Sequence, residues 1–131
     1  MSTQFVFEAI GTHWQIDIHD SFSIEQENML LKEIQDRIAV FDKNYSRFRD
    51  DSLVADMSRT LGTYTLPDDA RPMMDLYRDM YQATGGLITP LIGQVIADAG
   101  YDAGYSLVEK EMHTAPRWED VLQYDYPKLT L

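Results

Sequence analysis

The chain of 131 residues carries 22 acidic and 11 basic side chains, a formal net charge of −11. A length in this range is typical of one globular domain with its own core, so the sequence predicts a single domain over residues 1–131. The acidic surface disfavours nucleic acid and anionic membranes as partners, because their phosphates would be repelled. The absence of cysteine excludes disulfides, zinc–thiolate sites and thiol catalysis.

The N-terminal stretch MSTQFVFEAIG has no basic start followed by an apolar run, so it does not resemble a signal peptide. No apolar stretch is long enough to cross a bilayer. These features together predict a cytoplasmic protein.

Alternating apolar residues in QFVFEAIGTHWQIDIHD predict two strands joined around Gly11 and Thr12. The predicted inward faces are Phe5, Phe7 and Ala9 on the first strand and Trp14, Ile16 and Ile18 on the second. Ser23 followed three residues later by Gln26 is a capping box, which predicts the start of a helix of roughly five turns.

The rest of the chain alternates shorter helices and strands. A short helix capped by Asp51 or Ser52 is predicted to stop near Gly62, and TYTLP is predicted to form a strand. Asp68 or Asp69 is expected to cap the next helix, with Gly85 in the left-handed position after its end. The segment YDAGYS is predicted to be a loop.

The final elements complete an α+β pattern, which predicts a mixed sheet with packed helices. Thr89 is expected to cap a helix whose first residue is Pro90, and the tail is expected to form one or two strands interrupted at Tyr126-Pro127. The last residues, LTL, look like a strand in mid-course. An unpaired strand is an exposed edge, so we expect homo-oligomers to be possible through it.

The stretch TGGLITPLIG, residues 84–93, permits two interpretations. Backbone N–H groups at a helix start can hold an anion, and glycines let a phosphate-bearing ligand approach. The same residues also fit a plain turn between two helices, which needs no ligand. The spacing matches neither a P-loop nor a dinucleotide-binding glycine motif.

The stretch KNYSRFRDDS contains the only basic cluster of the chain, formed by Lys43, Arg47 and Arg49. Tyr45 and Phe48 lie among these cations and could stack on a flat ring whose phosphate the cations meet. A solvated turn with its aromatic rings in the core is the alternative. The three histidines lack metal-ligand spacing, and no set of residues predicts a catalytic or metal site.

Four segments, in order and spacing, resemble the ApbE family of FAD:protein FMN transferases, formerly grouped with thiamine biosynthesis lipoproteins. They are FEAIGTHWQIDI, YSRFRDDSLVADMS, RPMMDLYRDMYQATGG and GGLITPLIGQVIADAGYD. The sequence from Ala9 to Thr12 stands where the family has Ala-Met-Gly-Thr. Thr84 to Gly93 corresponds to the family's Thr-x-Gly-Ala-Phe-Asp-Pro-Thr-x-Gly. Ile10, Phe48 and residues 87–89 depart from those patterns.

The resemblance implies an enzyme that splits the FAD pyrophosphate and attaches FMN through a phosphoester to a Ser or Thr of a target flavoprotein. Its substrates would be FAD and that acceptor protein, and magnesium would serve the complete enzyme. The implied flavin-binding residues are Ile10, Gly11, Thr12, Phe48, Gly86, Leu87, Ile88 and Thr89.

The resemblance also implies a longer protein, because family members are more than twice this length and their magnesium ligands come after the segment matched here. We therefore expect the 131 residues alone not to transfer FMN. Two alternatives remain open at this point. One is a non-catalytic flavin-binding or assembly module, and the other is a scaffold piece that dimerises through its strand edge.

Overall fold

The computed structural model describes residues 2–131 and divides into two compact units, Met1–Val54 and Ala55–Leu131. The first unit holds β1 (Thr3–Ala9), β2 (Thr12–Ile18) and α1 (Ile24–Tyr45), and α2 (Leu53–Arg59) spans the boundary. The second unit holds β3 (Thr63–Thr65), α3 (Ala70–Ala83), α4 (Gly93–Asp98), α5 (Trp118–Val121), β4 (Gln123–Asp125) and β5 (Lys128–Thr130). The α+β class is confirmed. The assignment of residues 1–131 to a single domain stays a prediction.

The predicted hairpin forms, with β1 and β2 antiparallel and Phe7 opposite Trp14. Their rings stack at a centroid distance of 6.3 Å. The two residues of the turn, Ile10 and Gly11, both have positive φ, of 52° and 68°. A two-residue hairpin turn of this hand matches the twist of the strands and is usually built from Asn and Gly. A β-branched residue there is strained, so Ile10 holds this conformation at a cost.

Helix α1 begins with the predicted capping box. The Ser23 hydroxyl accepts the Gln26 N–H at 3.3 Å, and the Ser23 N–H donates to the Gln26 side chain at 2.9 Å. The Thr3 hydroxyl donates to Glu27 at 3.0 Å, which ties β1 to the first turn of the helix. The helix has 22 residues. None of the described helices combines the length and the hydrophobicity that a membrane crossing requires.

The terminal strand is not an open edge, which corrects the expectation from the sequence. In the three-stranded sheet of the second unit, β5 lies between β3 and β4, and both pairings are antiparallel. Leu129 of β5 is buried opposite Tyr64 and Tyr124. The Leu131 N–H donates to the Gly62 carbonyl at 2.9 Å. Partners on both sides remove the edge on which the oligomer prediction depended. Within residues 2–131 both sheets are antiparallel rather than mixed.

Helix α3 begins where predicted, directly after Asp69, although the Asp69 side chain makes no capping hydrogen bond. The predicted start of the next helix is wrong. Helix α4 begins at Gly93 rather than at Pro90, and it has six residues. The Thr89 hydroxyl accepts the N–H of Leu91 at 3.2 Å, which closes a local turn instead of capping a helix. Such side-chain bonds compete with helix formation.

The strain at Ile10 gives a testable expectation for stability. Ile10→Asn should raise the free energy of unfolding by about 1 kcal/mol, because asparagine tolerates positive φ far better than a β-branched residue. Urea denaturation followed by circular dichroism measures the change. Val6→Asn is the matched control, since Val6 is an exposed β-branched residue in β1, and it should lower stability. A loss of stability in Ile10→Asn equal to that in Val6→Asn would contradict the strain.

Candidate functional site

The residues implied by the sequence as flavin contacts lie in both units. Ile10, Gly11, Thr12 and Phe48 belong to the first unit, and residues 86–89 belong to the second. One cleft lies beside the hairpin residues of the first unit, and another lies beside the glycines of the second.

A cleft of about 320 Å³ lies between the end of the hairpin and α1. Its walls include Phe7, Ala9 and Ile10 from the hairpin and Ile38, Ala39 and Asp42 from the helix. This volume is at the lower end of the range for small-molecule sites, which are mostly apolar with a few polar groups. The strained residue Ile10 therefore lines a cleft of mixed apolar and polar lining, while Gly11 of the turn and Thr12 at the start of β2 are exposed.

The ring of Phe48 is 38% exposed, and the Arg47 guanidinium lies 4.6 Å from its centroid. An exposed aromatic ring next to a cation fits the predicted stacking surface better than the alternative of a ring in the core. The stacking of Phe48 on a flavin ring stays a prediction.

The other two cations of the basic cluster are already paired with aspartates. Lys43 binds the Asp51 carboxylate at 2.7 Å, and Arg49 binds Asp51 at 2.8 Å and Asp42 at 3.2 Å. Hydrogen bonds from Arg49 and Lys43 hold the pKa of Asp51 well below its ordinary value. A phosphate would have to displace these carboxylates, so the structure disfavours Lys43 and Arg49 as phosphate ligands.

In the second unit, Gly85 and Gly86 take the left-handed conformation with φ of 62° and 89°. The Gly86 N–H donates to the Tyr81 carbonyl at 2.8 Å, and the Ile88 N–H donates to the Thr84 hydroxyl at 3.0 Å. The left-handed position predicted for Gly85 is confirmed. These bonds form the plain turn that the sequence permitted, and they leave room for a ligand beside it.

The three residues after this turn differ in their exposure. Leu87 is 87% exposed and Ile88 is also exposed, whereas Thr89 is buried. Because α4 begins only at Gly93 and is short, Thr89 does not stand at a helix start that could hold a phosphate. Any ligand of this segment would meet the apolar side chains of Leu87 and Ile88 and the backbone around Gly86.

A second cleft, of about 520 Å³, lies beside the glycine turn. Tyr81, Gln82, Gly85 and Gly86 form one wall, and the other is formed by Ala115, Pro116, Arg117 and Glu119. The Arg117 and Glu119 side chains lie 3.6 Å apart at this cleft. The N–H of Glu119 itself, the Tyr81 hydroxyl and Arg117 lower the pKa of Glu119. The cleft is thus lined by a cation, Arg117, an anion, Glu119, and the backbone of two glycines.

Sequence reasoning missed a buried carboxylate at the end of α4. Asp98 is 2% exposed and accepts hydrogen bonds from the His113 N–H at 2.9 Å and from Gln94 at 2.7 Å. The His113 ring lies 2.7 Å from the same carboxylate. The His113 N–H, then Gln94, then the His113 ring lower the pKa of Asp98 to about 2. Asp98 therefore fastens the loop before α5 to α4, and only the fold brings His113 to it.

Within residues 2–131, no three His, Asp or Glu side chains are grouped so that they could hold a metal ion. The magnesium that the resemblance implies for the complete enzyme therefore has no described ligand set in this chain.

The fold defined by these elements is that of flavin transferases. The apo flavinyl transferase ApbE of Pseudomonas stutzeri superposes with a TM-score of 0.72 at 16% identity, covering 99% of this chain and 44% of that chain. The flavin transferase ApbE of Vibrio cholerae gives a TM-score of 0.78 at 14% identity, covering 99% and 45%. Its H257G mutant gives 0.79 at 13% identity, covering 99% and 47%.

A family model described as the ApbE family matches residues 10–131, so this chain belongs to the ApbE family. A comparison with curated protein sequences gives no match. The chain spans less than half the length of the solved transferases that it resembles.

The lowered pKa of Asp98 predicts a specific pH dependence of stability. The pKa is about 2 in the folded protein against an ordinary value of 3.8. The ionised carboxylate therefore stabilises the fold above about pH 4, and this stabilisation is lost as the pH falls towards about 2. The difference in melting temperature between wild type and Asp98→Asn should be largest near neutral pH and should shrink below about pH 4.

Melting temperatures measured between about pH 2 and pH 7 give this difference. Asp125→Asn is the control, since Asp125 is an exposed carboxylate of β4 in the same unit. The melting temperature of Asp125→Asn should differ little from that of wild type at every pH in this range. A difference for Asp98→Asn that does not change with pH would contradict the proposed contribution.

Proposed function

We propose that this chain provides the flavin-binding part of an FAD:protein FMN transferase. The observation that carries the proposal is the match of the ApbE family to residues 10–131. In the proposed reaction, a Ser or Thr hydroxyl of a target flavoprotein attacks the FMN phosphorus of FAD. The bond to the bridging pyrophosphate oxygen breaks, AMP leaves with that oxygen, and the hydroxyl proton passes to a base.

Each unit, taken by itself, has its own set of proposed flavin contacts. Ile10, Gly11, Thr12 and Phe48 supply an apolar cleft wall, a turn and an exposed ring in the first unit. In the second unit, Gly86, Leu87, Ile88 and Thr89 supply bare backbone, two exposed apolar side chains and a buried hydroxyl. Flat apolar surface of this kind suits the isoalloxazine ring, since stacking and apolar burial hold such ligands.

The residues of this chain would bind and orient the flavin rather than carry out the phosphoryl transfer. Transfer of this type depends on positioning and on cations that neutralise the developing charge. In the complete enzyme, magnesium would supply that charge at the pyrophosphate, and no residue of this chain is assigned to it. We expect the 131 residues alone to bind FAD without transferring FMN. The cytoplasmic location stays a prediction.

The test is a titration of the purified chain with FAD, followed by flavin fluorescence. The wild type should bind, and Phe48→Ala should bind more weakly by about 1–3 kcal/mol, the range of a lost ring stack. Phe22→Ala is the matched control, because Phe22 is a half-buried phenylalanine in the loop between β2 and α1, and it should keep wild-type affinity. Unchanged affinity in Phe48→Ala would contradict the placement at that ring, and no FAD binding by the wild type would contradict the proposed function.

Incubation with FAD, magnesium and an acceptor flavoprotein, followed by intact mass measurement, separates binding from transfer. We expect a mass gain of one FMN on the acceptor with the full-length protein. Transfer by the 131 residues alone would contradict the division of roles. FAD binding without transfer by the full-length protein would instead favour the non-catalytic flavin-binding module.

A further inference from the structure

The side chain of Tyr81 connects three parts of the second unit. Tyr81 lies in the last turn of α3, where its hydroxyl donates to the Glu119 carboxylate at 3.1 Å. The same hydroxyl accepts the backbone N–H of Trp118, also at 3.1 Å. The Tyr81 and Trp118 rings lie 5.7 Å apart. One phenol therefore fastens the start of α5 to the end of α3, across a separation of 37 residues.

The same residue also contacts the glycine turn. The Gly86 N–H donates to the Tyr81 carbonyl at 2.8 Å. The ring of Tyr81 lies against the α-carbon of Gly86, where an added Cβ would be 3.3 Å from the ring atoms Cε2 and Cζ. A side chain at position 86 would therefore press on the ring, so the ring borders the turn closely and leaves comfortable space only for glycine. The conformation of Gly86 is thereby coupled to the position of the Tyr81 ring.

The hydroxyl adds a restraint on the ring to the one that its packing against Trp118 provides. Tyr81 is only half-buried and lines the open cleft of about 520 Å³. A half-exposed ring has fewer packing contacts to hold it than a buried one, so hydrogen bonds at its end add to the restraint. The two hydrogen bonds to residues 118 and 119 provide that restraint, and the restrained ring in turn supports Gly86.

We infer that Tyr81 is a positioning residue, which sets the conformation of residues 86–89 and through it the affinity for flavin. The link to flavin rests on the function proposed above. The effect on the turn does not, since it follows from contacts within this unit. Tyr81 would act by holding the segment that contacts the flavin.

Tyr81→Phe tests the inference because it keeps the ring and removes only the hydroxyl. FAD binding should weaken about five- to tenfold, as expected when the restraint of one or two hydrogen bonds is lost. Hydrogen exchange at the Gly86 and Ile88 amides should become faster by a similar factor, since these amides are bonded within the turn. Amides in the middle of α3 should keep their wild-type exchange, which separates a local effect from general destabilisation.

Two further variants complete the experiment. Tyr77→Phe, one turn earlier on α3, removes a hydroxyl from an exposed tyrosine and should leave both readouts unchanged. Glu119→Ala removes one partner of the Tyr81 hydroxyl without altering α3, so it should reproduce part of the effect. Glu119→Ala also gives the answer if Tyr81→Phe does not fold.

Wild-type exchange at Gly86 and Ile88 in both Tyr81→Phe and Glu119→Ala would overturn the inference. Faster exchange with unchanged FAD affinity would also overturn it, because the turn would then not govern binding. If the wild type binds no FAD, the proposed function fails separately. The exchange rates would still decide whether Tyr81 holds the turn.

Discussion

The reversal of the chain at Gly85 and Gly86 is the constraint on which the candidate site of the second unit depends. Two consecutive residues with positive φ are required there, and glycine is the residue that adopts this conformation without strain. The turn follows the end of α3 and leads into residues 87–89, and its two glycines form part of the wall of the larger cleft. Tyr81 bonds both to this turn and to the start of α5, so the turn, α3 and α5 are linked through one residue.

The two predicted groups of flavin contacts share a physical property. Each is built around left-handed backbone, at Ile10 and Gly11 in one unit and at Gly85 and Gly86 in the other. Glycine leaves the backbone beside it accessible to a ligand, whereas a β-branched residue holds the left-handed conformation only under strain. Ile10 is the clearest case, because asparagine or glycine would fit the hairpin turn with less strain. Its apolar side chain lines a cleft instead.

Local signals in the sequence predicted local structure well. The capping box at Ser23 and the turn at Gly11 depend only on neighbouring residues, and both are confirmed. The central place of β5 was not predictable in this way, because its partner β3 lies more than 60 residues earlier. The start of α4 was misjudged since the Thr89 hydroxyl fits a cap and a local turn equally well in sequence.

In the candidate site, too, features that depend on neighbouring residues could be predicted, and features that depend on the folded chain could not. The positive φ of Gly85 could be predicted, because a glycine directly after an amphipathic helix is a local pattern. The pairing of Lys43 and Arg49 with aspartates was not predicted, although Asp42 and Asp51 lie nearby in sequence, because the pairing depends on how the chain turns after α1. The contacts of Asp98 with His113 and of Tyr81 with Trp118 join distant segments, and only the folded chain reveals them.

The central claim is that the residues beside the left-handed backbone of each unit, taken separately, are flavin contacts. Amide chemical shifts of the isotopically labelled protein, recorded with and without FAD, test this claim most directly. The account predicts that the largest shifts fall on Gly11, Thr12 and Phe48 in the first unit and on Gly86, Leu87 and Ile88 in the second. Shifts confined to one unit, or centred on residues outside these two segments, would contradict it.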